Sequence, residues 1–320
     1  MSGARRTRFA GVGCGRVFQR YHLPCADARD DIEPVGAVDL DAGRAEALFA
    51  DRPGVWTGSS VDRLLKETAP DVISVCTPND AHAEAVLTAL DAGVAVLCEK
   101  PLAAGVDAAR AIAAHPDADR LLGVNLPYRF HELLKPFTEV ARDGTQEIEL
   151  TFVTPGDRVW RACTPWYGDA RRAGGGALLD LGLHALDILV TVFGRPDVHS
   201  CEVDSAEVEE RARVGLSFQG VPATLRIDRA GRRLAMAVTV RTTSGTHVLD
   251  LRRGELRLAD GTVVEAGGRP ELAAISGWFD VVTGTAPSAI ATAQEALGLQ
   301  LLVQAAYERA RPVSAAALLG

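Results

Sequence analysis

Over the first 124 residues, short β-type apolar runs alternate with segments of helical periodicity. The apolar runs are Arg8 to Gly13, Val35 to Asp39, Val72 to Cys76, Ala95 to Cys98 and Leu121 to Asn125. Strands separated by helices need crossover connections, so the pattern predicts a parallel sheet. Ala81 to Ala92 carries Ala85, Leu87, Leu90 and Ala92 as an apolar helical surface and stops at Gly93, a residue suited to follow a helix. Asp62 to Glu67 and Val106 to Ala114 are further expected helices.

Beyond residue 145 the period changes to two. Glu147 to Val153 is polar and apolar by turns, and Arg213 to Phe218, Ala223 to Arg229, Leu234 to Thr242, Thr246 to Leu251 and Glu255 to Leu258 read alike. Glycines 220, 231, 245, 254 and 261 punctuate these runs. An open, mainly antiparallel sheet is expected, one face polar or shared with a second subunit. Helical stretches from Ala177 to Phe193 and from Ala289 to Arg309 interrupt or close it.

Composition narrows the class without naming a chemistry. A chain of 320 residues, 47% hydrophobic and 24% charged, has room for one large or two ordinary domains. A net charge of −8 and a pI near 5.4 disfavour nucleic acid and anionic membranes as partners, because both repel an acidic protein. Arg5, Arg6 and Arg8 lead into Phe9 to Gly13 rather than into a signal-peptide core. The most apolar stretch, Leu178 to Phe193, contains Asp180, His184 and Asp187, which argues against a membrane span. Cysteines 14, 25, 76, 98, 163 and 201 lack the paired spacing of zinc sites, so no metal is expected. They read as reduced residues of a cytoplasmic protein.

Candidate chemistry gathers at the ends of the expected strands, where parallel α/β sheets bind ligands. After the first comes Gly13-Cys14-Gly15-Arg16-Val17-Phe18. A glycine pair there lets the backbone bend and approach a pyrophosphate, favoured by the N-terminus of the next helix. The third position of the usual G-x-G-x-x-G pattern is Phe18, and its bulk works against close helix–strand packing. Asp39 ends the next run, 24 positions after Gly15, where an acid can bind a ribose diol and repel a 2′-phosphate. That favours NAD over NADP, while Arg44 nearby is able to reach a phosphate. Thr77, Pro78 and Asn79 follow the run ending at Cys76, with Asn79 or Asp80 available as a helix cap and His82 expected to face the cleft. Glu99-Lys100-Pro101 places a lysine at another strand end, suited to a polarised substrate oxygen.

Thr77-Pro78-Asn79-x-x-His82, Ala92-Gly93 and Glu99-Lys100-Pro101 together resemble the Gfo/Idh/MocA oxidoreductases, named for glucose-fructose oxidoreductase and inositol dehydrogenase. The resemblance continues through Val124-Asn125-x-x-Tyr128-Arg129-Phe130, Trp160-Arg161, Gly174-Gly175-Gly176-x-Leu178-x-Asp180-x-Gly182-x-His184 and the stretch from Ala293 to Tyr307. It implies an α/β protein: a Rossmann dinucleotide-binding domain, taken as 1–124, and a substrate-binding and oligomerisation domain, taken as 125–320. It also implies a catalytic lysine, aspartate and histidine, which fall on Lys100, Asp180 and His184. Trp160 and Arg161 would lie by cofactor and substrate, with Glu99 and Lys100 completing the cofactor side. Asn125, Tyr128, Arg129 and Trp166 are candidates on the substrate side.

Asp180 and His184 are four apart, hence on one helical face behind the glycine run, which is expected to be flexible. His184 is the preferred base from its ordinary titration near neutrality, Lys100 stabilises an alkoxide, and Asp180 orients. Lysine as the base is the alternative. The leading expectation is an NAD- or NADP-dependent enzyme moving a hydride to or from a secondary alcohol or ketone of a sugar or cyclitol. An NADP-linked keto-sugar reductase, its substrate nucleotide-linked, and a non-catalytic dinucleotide-sensing regulator are the alternatives. The family's habits point to a homodimer or homotetramer.

Overall fold

A computed structural model describes residues 5–156, 163–205, 207–287 and 289–319, so Trp160 and Arg161 lie outside the described residues. Six strands, β1 Thr7–Val12, β2 Ile32–Val38, β3 Trp56–Gly58, β4 Val72–Val75, β5 Ala95–Glu99 and β6 Leu122–Asn125, form a sheet in the order β3-β2-β1-β4-β5-β6. Every pairing in it is parallel, as the strand–helix alternation predicts. Only β3, a three-residue edge strand without a buried residue, has no counterpart among the apolar runs. Strand order reverses between β1 and β4, which opens a crevice beyond their carboxyl ends.

The second sheet holds β7 Thr145–Val153, β8 Asp197–Val203, β9 Arg211–Phe218, β10 Val221–Asp228, β11 Ala235–Thr242, β12 Gly245–Asp250, β13 Glu255–Arg257, β14 Val263–Glu265 and β15 Ala310–Pro312. Its order is β14-β13-β12-β11-β7-β10-β9-β8-β15, antiparallel except for β7 with β10 and β8 with β15. Burial alternates strictly along β9, with Ala212, Val214, Leu216 and Phe218 inward. Helix Gly182–Phe193 covers that inner side, where Phe193 meets Phe218 at 5.5 Å.

Three helices illustrate how the structure departs from the sequence expectation. The stretch Ala177 to Phe193 is two helices, Ala177–Asp180 and Gly182–Phe193, with a 45° bend between the helical segments 170–180 and 182–193. At the break, a Cβ on Gly182 would stand 2.7 Å from Leu178 Cδ1. The C-terminal helix begins at Ala293 rather than Ala289, because the Val124 N–H donates to Ala291 O at 2.8 Å and Thr292 with Glu295 forms a capping box. Helix Pro270–Thr283 was not anticipated: it is apolar and interrupted by Ser276 and Gly277, and its place is on the first sheet. There Phe279 meets Phe9 edge-on at 5.3 Å, and Arg29 pairs with Asp280. One hydrophobic core therefore runs through both sheets. Among the described residues no single helix is long and apolar enough to cross a membrane.

Candidate functional site

The glycine turn is built by close backbone packing. Gly13 has φ +89°, and a Cβ on it would lie 2.7 Å from the Cys76 carbonyl, so only glycine lets the turn settle against the end of β4. At Gly15 a Cβ would meet nothing within 4 Å, leaving an open backbone edge where a pyrophosphate is expected. Arg16 is exposed and Val17 half-buried beside it. Phe18 does not spoil helix–strand packing, because β1 itself makes the room: a Cβ on Gly11 would stand 2.3 Å from the Phe18 ring. The space usually gained from a third glycine comes here from the strand. Asp39 braces the turn, accepting from Cys14 N–H at 2.9 Å, Asp41 N–H at 3.0 Å and Arg44 at 2.8 Å.

Across the crevice, Thr77 Oγ1 and Asn125 Oδ1 are buried without a partner among the described residues. Orphaned polar atoms along the strand ends that carry the open glycine edge fit a dinucleotide, whose hydroxyls and carboxamide would satisfy them. Pro78, next to Thr77, is half-buried. Two neighbours differ from expectation. His82 does not face the cleft: it is 1% exposed, with its ring nitrogens 2.8 Å from Pro101 O and 2.9 Å from Thr77 O, so it ties two strand-end loops together. Asn79 and Asp80 do not cap the following helix; Asn79 donates to Ala173 O at 2.8 Å, and Asp80 pairs with Arg172.

At the end of β5, Glu99 turns inward to His22 and Asn125 while Lys100 points across to the second domain. Lys100 Nζ lies 2.6 Å from Asp180 Oδ1 and 3.0 Å from Asp180 O, a main-chain oxygen presented at the helix break. Asp180 Oδ2 stands 3.7 Å from Arg229, just beyond β10. Arg229 sits over the Tyr167 ring at 5.8 Å, and Tyr167 stacks on Trp166 at 4.0 Å. Burial alone would raise the Asp180 carboxyl, but Lys100 and Arg229 outweigh it and hold it below the usual carboxylate range.

His184 lies under the Tyr128 ring, edge-on at 5.2 Å, with Nδ1 buried and unpartnered among the described residues. Burial and then the Lys100 charge push its imidazole down to about 3. Both causes disfavour the protonated ring, which weighs against His184 as a base titrating near neutrality. Tyr128 is half-buried, and burial pushes its phenol up. Arg129 is not available to a substrate. It grips Asp187, which is 1% exposed, with bonds at 3.1 and 3.2 Å from Nε, and it reaches Glu295 at 3.2 Å.

The glycine run 174–176 is a site of close approach rather than a flexible loop. A Cβ on Gly174 would sit 2.0 Å from Ala104 O, and one on Gly176 2.2 Å from Glu209 O. Glu209, 2% exposed, accepts from Leu178 N–H at 2.7 Å and Tyr307 Oη at 2.9 Å, fixing the helix that ends in Asp180. Glu209, Tyr307, Arg229 and His22 were missed as contributors. Each lies far in sequence from what it supports, and none belongs to a short motif.

Residues 7–125 match the description "Oxidoreductase family, NAD-binding Rossmann fold", and residues 146–248 match the "GFO/IDH/MocA C-terminal domain". D-glucoside 3-dehydrogenase of Escherichia coli K12 is 34% identical over 69% of this chain and 64% of its own length. Myo-inositol dehydrogenase Hyg17 of Streptomyces leeuwenhoekii is 32% identical over 68% of this chain and 66% of its own. The chain thus spans just under two thirds of the length of these relatives. In overall shape it superposes on KijD10, a 3-ketoreductase from Actinomadura kijaniata in complex with NADP and TDP-benzene, with a TM-score of 0.81. That likeness covers 97% of this chain and 99% of the other at 21% identity. With both domains matched and a nucleotide crevice facing a Lys–Asp pair, the chain belongs to the Gfo/Idh/MocA family of oxidoreductases.

Proposed function

We propose that the protein is an NAD(P)-dependent oxidoreductase acting on a secondary alcohol or ketone of a sugar or cyclitol. The observation that carries this is Lys100, at the end of a nucleotide-binding sheet, bonded at 2.6 Å to Asp180 of the second domain. A nicotinamide dinucleotide in the crevice would supply or take up the hydride. Lys100 spends two ammonium hydrogens on Asp180, which leaves a third to meet the substrate oxygen. In the reducing direction this N–H gives its proton as charge builds on that oxygen; in oxidation Nζ takes the proton back. Asp180 holds Nζ in line, and the neutral His184 orients the hydroxyl without competing for its proton. Trp166 and Tyr167 offer aromatic faces to a sugar ring.

Arg44, committed to Asp39 and Asp41, supports NAD over NADP. A division at residues 124 and 125 would put Lys100 and Asp180 on opposite walls of one cleft. The half-exposed face of the second sheet suits a homodimer or homotetramer, and free cysteines suit a cytoplasmic setting. A panel of sugars, cyclitols, amino sugars and their keto forms, followed by nicotinamide absorbance with each cofactor, tests the assignment. A hit with NAD is expected. Tighter binding of NADP would contradict the role given to Asp39, and no turnover despite tight cofactor binding would favour a dinucleotide-sensing regulator.

A further inference from the structure

Behind the glycine turn, the chain sends a buried histidine to the strand that carries Lys100. Phe18–His22 is a wide, π-type turn closed by Leu23 N–H on Phe18 O, a geometry found often where a side chain must be aimed. His22 has no exposed surface, and the Phe18 ring stacks against it at 6.5 Å. Its Nε2 lies 2.9 Å from Glu99 Oε1, and its Nδ1 2.9 Å from Ser74 Oγ in the interior of β4. Asn125, at the end of β6, donates to the same Glu99 oxygen at 2.7 Å. One carboxylate therefore gathers the first helical turn and three adjacent strands, one residue before Lys100.

His22 and Asn125 hold the Glu99 carboxyl below the usual range against the opposing effect of burial. An ionised carboxylate only accepts, so Nε2 carries the hydrogen that bonds it, and the Ser74 hydroxyl faces Nδ1. An apolar pair would fill this space without the cost of desolvating a carboxylate. What the polar pair adds is a fixed direction for the Glu99–Lys100 backbone.

We propose that His22 is a positioning residue for Lys100: by clamping Glu99 it fixes the end of β5 and joins the helix behind the nucleotide turn to the strand bearing the reactive amine. The proposal rests on Lys100 being the group that meets the substrate. The chain's lysines are Lys66, Lys100 and Lys135, and the other two are exposed, so they serve as internal controls.

The test is trace acylation of the intact protein by acetic anhydride, with each lysine's rate read by peptide mass spectrometry. In His22→Phe, Lys100 should react faster relative to Lys66 and Lys135, because loss of the clamp lets Nζ leave Asp180. His22→Gln, which keeps a donor toward Glu99, should restore the ratio. On a Glu99→Gln background, His22→Phe should add little, since a residue acting through another shows non-additivity. An unchanged Lys100 ratio, an equal rise at all three lysines, or Gln behaving as Phe would each overturn the proposal. If His22→Phe does not fold, Glu99→Gln alone carries the test: it should raise the Lys100 ratio, and no rise refutes the clamp. Full turnover of Lys100→Met on a panel substrate would instead remove the reactive-lysine reading, whatever the acylation shows.

Discussion

The two walls of the cleft are made in different ways. At the carboxyl edge of the first sheet the glycine turn is set by backbone packing: Gly13 is pressed on Cys76, Gly15 leaves an open edge, and the strand ends follow parallel register. On the second sheet the working groups are side chains held by partners remote in sequence. Asp180 lies between Lys100 and Arg229, and its helix is anchored by Glu209 and Tyr307. A wall of backbone tolerates side-chain variation but not an added Cβ. A wall of paired charges fails when one partner goes.

Substitutions on either wall sharpen this contrast. Lys100→Met should lower turnover by roughly 10²- to 10⁴-fold with cofactor still bound, as steady-state kinetics and a binding titration would show. Full retention of turnover would mean the cross-domain pair is structural only. Arg129→Met strands Asp187 at 1% exposure and should cost about 3 kcal/mol in denaturant unfolding, the scale for a broken buried pair.

On the backbone wall, Gly11→Ala collides with the Phe18 ring and should cost roughly 1–3 kcal/mol, whereas Gly15→Ala should leave stability nearly unchanged and weaken dinucleotide binding. Equal stability losses in the two variants would contradict the division between a packed glycine and a ligand-facing one.

The smallest effect concerns pH. The His184 imidazole sits at about 3 in the folded protein against 6.5 unfolded, so the unfolded chain binds a proton that the folded one refuses. Stability should then fall as pH drops through that window, by roughly 1 kcal/mol between about pH 6 and about pH 5. His184→Asn should flatten that part of the profile in thermal melts. An unaltered slope would show that His184 titrates normally.

Legibility followed the same line. The five longer strands of the first sheet were readable because a strand buried on both faces is a continuous apolar run, and Glu99-Lys100-Pro101 sits at the end of one. Alternation in β9 and β10 was equally plain, since one face of that sheet is half-exposed. Helix Pro270–Thr283 was invisible because its apolar surface answers a sheet laid down more than 140 residues earlier in the chain. Arg129 read as a substrate contact because its partner Asp187 lies 58 positions away. His82 read as facing the cleft because its position after Thr77 is clear, while the direction of its ring depends on Pro101 O.

The sequence by itself determined the parallel nucleotide sheet, the alternating second sheet, and the presence of a lysine, an aspartate and a histidine at suitable spacing, because each follows from local periodicity or a short motif. Only the tertiary structure decided what those residues do to one another. It set Lys100 against Asp180, enclosed His184 under Tyr128, withdrew Arg129 and His82 from the cleft, and brought His22 under Glu99. The physical reason is that charge, desolvation and hydrogen-bond direction depend on distances between chain segments, which a linear pattern does not contain.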